Sequence, residues 1–249
     1  MEGVRPTAPG PNVATAMTGL SGEVLPGIGG VVFDLDDTLL ASGPVWVECW
    51  REHCERAGRP WSPEVASRCV GSGQWSEHLA DWCGGDAAQL EASCTDYMVV
   101  ALAEGRVEPL DGALELIATA ADRVPVALAS AAPRRFVDAA VAAFELGRFL
   151  QAIAYADEVT HGKPAPDIYL RAARRLQLPP GRCVAVEDSG SGILAAYRAG
   201  LQVLAVPNRA HPPAPEALQL AAHRADTGSV AVKILIDLLD RTAEPGGLT

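Results

Sequence analysis

Short apolar runs punctuate the chain and alternate with longer stretches of helical character. Val31-Val32-Phe33 leads into Asp34 and predicts a strand over 31–34. PVALAS (125–130), AIAY (152–155), CVAVED (183–188) and QVLAVP (202–207) predict four more. These runs are continuously apolar, the pattern of strands covered on both faces of a parallel sheet. Helices are predicted between them: from the turn Pro109-Leu110-Asp111-Gly112 to about 122, over 134–146, from Pro166 to Leu178, along ILAAYRAG to a closing Gly200, and over 228–240. Strand–helix alternation of this kind argues an α/β fold whose sheet has helices on both sides.

One block breaks the alternation. Pro44 can open a helix where its missing N–H costs little, and 44–57 then runs helically with Val45, Cys49 and the Trp46/Trp50 pair inward. Residues 63–105 are mostly helical, with breaks at Gly71-Ser72-Gly73 and Gly84-Gly85. The chain therefore divides into an N-terminal tail (1–28), an α/β core (29–43 and 107–249) and an inserted helical unit (44–106). The tail is rich in Pro, Gly, Thr and Ala and reads as mobile. It lacks the apolar stretch of a secretory signal, and Met17 offers an alternative start.

Composition narrows the partners. Of 249 residues, 49% are apolar, enough for a sizeable core, and the formal net charge is −11. That balance weighs against nucleic acid and against an anionic membrane surface, both of which need cationic patches. It does not weigh against a small phosphorylated metabolite, because a local pocket can be positive on an acidic protein. No apolar run is long enough to span a bilayer. The six cysteines form no Cys-x-x-Cys pair and none sits at zinc spacing from a histidine, so they read as free thiols of a cytoplasmic protein. The expected state is a monomer or weak homodimer.

The chemistry lies where the apolar runs stop. In parallel α/β sheets, ligands bind beyond the carboxyl ends of the strands. Asp34, Asp36 and Asp37 follow the first strand, Ser130 ends the second, Lys163 follows the third, and Glu187 and Asp188 end the fourth. Clustered carboxylates repel and are costly to bury, so a cation is expected to offset them, and oxygen donors point to Mg²⁺. Asp34 and Asp188 would bind it directly, Glu187 through water, and Asp36 through its backbone carbonyl, leaving the Asp36 side chain for proton transfer. A metal-bound Asp34 is a workable nucleophile toward phosphorus. Ser130 and nearby backbone N–H groups, that of Ala131 among them, would hold the phosphoryl oxygens. Pro164 biases Lys163 to an extended loop that can aim its ammonium inward. Singly, each feature has a plainer reading: a turn cap for the aspartates, a helix N-cap for Ser130, a solvated charge for Lys163, first-turn acids for Glu187 and Asp188. Arg134 and Arg135 read as a solvated helix face, and His53, His78, His211 and His223 as surface or core.

FDLDDTL, ALAS, GKPAPDIY and VAVEDSGSGILAAYRAG, in this order, resemble the four motifs of the haloacid-dehalogenase superfamily. The similarity runs from about residue 30 to about 207, and it is to the phosphatase and β-phosphoglucomutase-like branch. It implies a Rossmann-like parallel sheet with a helical cap inserted after the first motif. It implies an aspartyl-phosphate on Asp34, with Asp36 protonating the leaving group and then activating water. It also implies phosphate contacts from Ser130 and Lys163 and Mg²⁺ at Asp188 with Glu187. The sequence departs from the family pattern in places. Asp37 stands where many relatives have glycine. Trp46 falls near the cap histidine of the sugar-phosphate mutases, and Gln74 near their cap arginine; both are candidates to face the substrate. The resemblance therefore implies hydrolysis of a phosphomonoester, a sugar or polyol phosphate first and phosphoglycolate second. A sugar-phosphate mutase is the alternative, and a non-catalytic binding protein on the same scaffold is another; the latter would be expected to have lost Asp34, Asp36 or Lys163.

Overall fold

The computed structural model describes residues 27–208 and 211–241. The expected N-terminal tail falls almost wholly outside these residues.

Among the described residues, six parallel strands form one sheet: β1 (Gly30–Phe33), β2 (Val126–Ser130), β3 (Ala152–Tyr155), β4 (Cys183–Glu187), β5 (Gln202–Ala205) and β6 (His223–Arg224), in the order β3-β2-β1-β4-β5-β6. The five predicted strands are all present. β6, two residues long, carries no apolar run that could announce it. Strand order reverses direction between β1 and β4, the topological switch point at which such sheets bind ligands. Phe33 lies opposite both Leu128 and Val186, so Asp34 emerges level with the ends of both neighbouring strands.

The helices are α1 (Gly43–Arg56), α2 (Pro63–Cys69), α3 (Trp75–Cys83), α4 (Ala87–Ala103), α5 (Ala113–Ala121), α6 (Arg134–Ala143), α7 (Asp167–Arg175), α8 (Gly190–Arg198), α9 (Pro215–Leu218) and α10 (Gly228–Asp240). Two end earlier than their patterns suggested. α6 stops at Ala143 because Glu145 turns left-handed (φ 52°), and α7 stops before Gln177 (φ 59°). α8 ends as expected, with Gly200 at φ 84° and its N–H on the Tyr197 carbonyl at 2.9 Å.

The two faces of the sheet pack differently. One presents Val32, Ala127, Ala129, Ala154, Ala185 and Ala205 to the alanines of α7 and α8. Small side chains on both sides let these helices approach closely, and Tyr169 fills the remaining depth. The other face presents Val31, Phe33, Val126, Leu128, Val184 and Val186, larger residues that meet α5 and α10. The core on this side continues into α1–α4, where Trp46 meets Phe136 of α6 edge-on at 5.5 Å. Two chain segments cross side by side below α1–α4. Ala41 N–H bonds the Glu108 carbonyl at 2.8 Å and Leu110 N–H that of Leu39 at 2.9 Å.

Candidate active site

A tight turn carries the chain from β1 toward α1. Leu39 and Leu40 both donate N–H to the Leu35 carbonyl, and Asp37 N–H donates to that of Leu40 at 2.7 Å. The turn needs Asp37 at φ 58°. Its carboxylate accepts from Gly43 N–H (2.9 Å) and Asn208 Nδ2 (2.6 Å), which ties the turn to the start of α1. Burial pushes Asp37 up to about 6. A side chain at Gly43 would overlap this carboxylate.

Asp34, 5% exposed, stands at the end of β1. Lys163, 4% exposed, reaches it from the loop after β3, with Nζ 2.5 Å from Asp34 Oδ1 and 2.6 Å from Glu187 Oε1. Glu187 is held on all sides. Tyr169 donates its hydroxyl to Oε1 at 2.5 Å, while the N–H groups of Asp188 and Ser189 and the Ser189 hydroxyl donate to Oε2. Only glycine fits at 192, because a Cβ there would overlap the Glu187 carboxylate. Asp188 accepts a long bond from Thr38 Oγ1 at 3.4 Å.

Asp36 is fixed from the side of α1. Its Oδ1 accepts from the Ser42 hydroxyl at 2.5 Å and from Trp46 Nε1 at 2.9 Å. Burial raises Asp36 against these two donors. Burial also raises Asp34, to about 8, with Glu187 and Asp36 adding to the effect and Lys163 opposing it. For Lys163, burial works against the charge, but Asp34 and Glu187 outweigh it and raise its pKa. The oxygens of Asp34, Glu187 and Asp188 lie within 4.8 Å of one another. Four carboxyl groups, Asp34, Asp36, Glu187 and Asp188, stand around one ammonium, an excess of acid that a divalent cation would offset.

These residues open onto a cavity of ≈ 70 Å³. Asp34, Asp36, Lys163, Asp188 and the Ala131–Ala132 segment form its floor, and Trp46, Val47, Trp50, Val70, Ser72 and Trp75 its roof. The tryptophans are both buried core and roof: Trp46 lies 5.8 Å from Trp50 and 5.3 Å from Trp75, ring to ring. Trp50 Nε1 is buried and has no hydrogen-bond partner among the described residues. The turn at 71–73 closes the roof onto the floor. Ser191 donates its hydroxyl to the Gly71 carbonyl, and a Cβ on Gly73 would lie 2.9 Å from the Gly162 Cα.

Several sequence expectations change here. Gln74 is exposed, caps the start of α3 and does not line the cavity, because the 71–73 turn points Ser72 and Trp75 inward on either side of it. Ser130 is fully buried, and its Oγ accepts from Ala132 N–H at 3.1 Å; Pro133, not Ser130, is the N-cap of α6. Arg134 and Arg135 stay on an exposed helix face, as expected: Arg134 is bonded to Asp157 and Glu158 and stacks on Tyr155, and Arg135 pairs with Asp96 of α4. Thr38, Ser42, Tyr169, Ser189 and His211 all touch the site, directly or through its carboxylates. Tyr169 sits inside GKPAPDIY, but nothing local says that its hydroxyl meets Glu187. The cysteines change as well: α4 brings Cys94 against Cys49 and His53, which stand one turn apart on α1, although no cysteine–histidine cluster was expected from the sequence.

The haloacid dehalogenase-like hydrolase family model matches residues 28–200. Protein CbbY of Rhodobacter capsulatus is 35% identical over 192 residues, covering 72% of this chain and 85% of that protein. Fructose-1-phosphate phosphatase YqaB of Escherichia coli is 30% identical, covering 71% and 95%. The crystal structure of CbbY from Rhodobacter sphaeroides in complex with phosphate superposes with a TM-score of 0.69 at 28% identity, covering 81% of this chain and 95% of that one. The chain belongs to the haloacid dehalogenase-like hydrolases, and it is an enzyme of their phosphatase kind.

Proposed function

We propose that this chain hydrolyses a small phosphorylated metabolite, a sugar or polyol phosphate, by way of an aspartyl-phosphate on Asp34. The observation that carries the reading is one cavity floored by Asp34, Asp36, Lys163 and Asp188 and roofed by helices inserted after β1. The sugar preference draws on relatives such as the fructose-1-phosphate phosphatase.

The Asp34 carboxylate attacks phosphorus and the bond to the leaving oxygen breaks. Asp36, whose pKa is raised by burial, gives that oxygen its proton. Water then attacks the phosphorus, passes a proton back to Asp36, and Asp34 leaves as a carboxylate with inorganic phosphate released. Lys163 holds charge on the phosphoryl oxygens, anchored from behind by Glu187. The Ser130 hydroxyl and the Ala131 backbone are read as further phosphate contacts. Asp34 and Asp188 would hold Mg²⁺, with the Asp36 backbone carbonyl as a further oxygen donor and Glu187 acting from behind, because both its oxygens already have donors. Held there, the ion would supply charge neutralisation at the phosphoryl oxygens.

Residues 44–106 act in this reading as a cap that excludes water and contacts the leaving group. The tryptophan faces of the roof suit the C–H face of a sugar or polyol. Among the described residues no lysine or arginine of α1–α4 lines the cavity. A mutase must hold a second phosphate there, so hydrolysis is favoured over it.

The test is phosphate release across hexose phosphates, polyol phosphates, phosphoglycolate and nucleotides, with Mg²⁺ and with chelator. Metal-dependent release from the sugar or polyol class, abolished in a folded Asp34→Asn variant, is the expected result. Release that survives Asp34→Asn, or none from any ester, would overturn it.

A further inference from the structure

Five of the six cysteines lie in α1–α4, and the hydrolytic chemistry uses none of them. Cys49 and His53 stand one turn apart on α1, and α4 brings Cys94 against them. His53 Nδ1 is 3.8 Å from Cys49 Sγ and 3.9 Å from Cys94 Sγ, and the three donor atoms all lie within 4.8 Å of one another. Tetrahedral zinc, with bonds of about 2.3 Å to sulfur and about 2.0 Å to nitrogen, spaces sulfur and nitrogen by about 3.6 Å. Both sulfur–nitrogen separations are within about 0.3 Å of that value.

We propose that Cys49, His53 and Cys94 form a binding site for a thiophilic divalent cation, zinc first, that ties α1 to α4. Thiolate and imidazole donors suit such an ion and not the hard cation that the carboxylates suit. Cys49 and Cys94 are fully buried, and two thiolates with one divalent ion make a neutral centre that can stay buried. Without the ion, the Cys49 sulfur and burial hold the Cys94 thiol far above its ordinary range, so binding displaces one proton from each cysteine. The histidine is placed for the change. Its Nδ1 lies 2.9 Å from the Cys49 carbonyl, the bond it makes when that nitrogen is protonated. In the other tautomer Nε2–H donates to Ser93 Oγ at 3.1 Å, an outer-shell partner of the usual kind, and a turn of the ring away from the Cys49 carbonyl gives the Nδ1 lone pair to the metal. Three protein donors leave one position for water, and half-exposed His53 marks the way in.

Cobalt(II) titrated into the full chain in excess Mg²⁺ tests this, because only thiolate ligation gives the near-ultraviolet charge-transfer band. The expected result is a band that saturates near one ion per chain, is bleached by zinc and persists in Asp188→Asn. Cys94→Ser should lose it and His53→Gln should weaken binding tenfold or more. If Cys94→Ser does not fold, His53→Gln decides, since that ring is half-exposed. The absence of a band, or a band unchanged in His53→Gln, would overturn the proposal.

Discussion

Trp46→Phe separates the indole N–H from the rest of the Trp46 side chain. The wild-type bond, Nε1 to Asp36 Oδ1 at 2.9 Å, stabilises the carboxylate over the acid. Hydrogen bonds to charged groups contribute about 1.5–3 kcal/mol. Losing one lowers the carboxylate-to-acid ratio of Asp36 by about 10- to 150-fold, since 1.4 kcal/mol is a factor of ten. The Ser42 hydroxyl, 2.5 Å away, still holds the side chain in place. Where Asp36 must be protonated, in donating to the leaving group, the alkaline limb of kcat/KM moves to higher pH. Where it must be ionised, in activating water, the acid limb of kcat moves the same way, so kcat falls at neutral pH. Thinner packing against Trp50, Trp75 and Phe136 costs about 1–3 kcal/mol of stability, read separately as a lower Tm. The assay is kcat and kcat/KM against pH for both proteins. Profiles that superimpose, scaled or not, would refute the reasoning, because lost packing alone does not move the limbs.

Two further outcomes follow from other parts of the fold. Tyr169→Phe removes a 2.5 Å bond to Glu187 Oε1 and should cost about 1.5–3 kcal/mol in urea unfolding, with a lower kcat as Lys163 loses a firmly held partner; an unchanged midpoint would contradict it. Burial opposes ionisation of Glu158, but Arg175, Arg134, the Tyr155 N–H and Arg171 outweigh it and bring it down to about 2. Its bonds therefore stabilise the fold above the unfolded carboxylate value near 4.5 and are lost as pH falls through about 2. Glu158→Gln should flatten Tm against pH across that window, and parallel curves for the two proteins would count against this role.

What the sequence determined by itself is the run of five strands and the polar residues at their ends. A buried parallel strand must be continuously apolar, and the charged residue that ends it is conspicuous for that reason. Asp34, Glu187 and Asp188 were legible as candidates because each sits at such a junction, and Lys163 because GKPAPDIY stands in order between the second and fourth motifs. The local signals also located the turn at Gly71–Gly73 and the helix end at Gly200. The partners of these residues were not legible. That Trp46 bonds Asp36, that Tyr169 and Ser189 saturate Glu187, that Gln74 faces solvent, and that His53 meets Cys94 all depend on which way side chains point after distant segments pack. β6 exists only because β5 offers an edge for two residues to pair with. Local periodicity encodes which face of an element is buried. What lies against that face, 10 to 150 residues away, is set by the packing of helices on the sheet, and only the tertiary structure decided it.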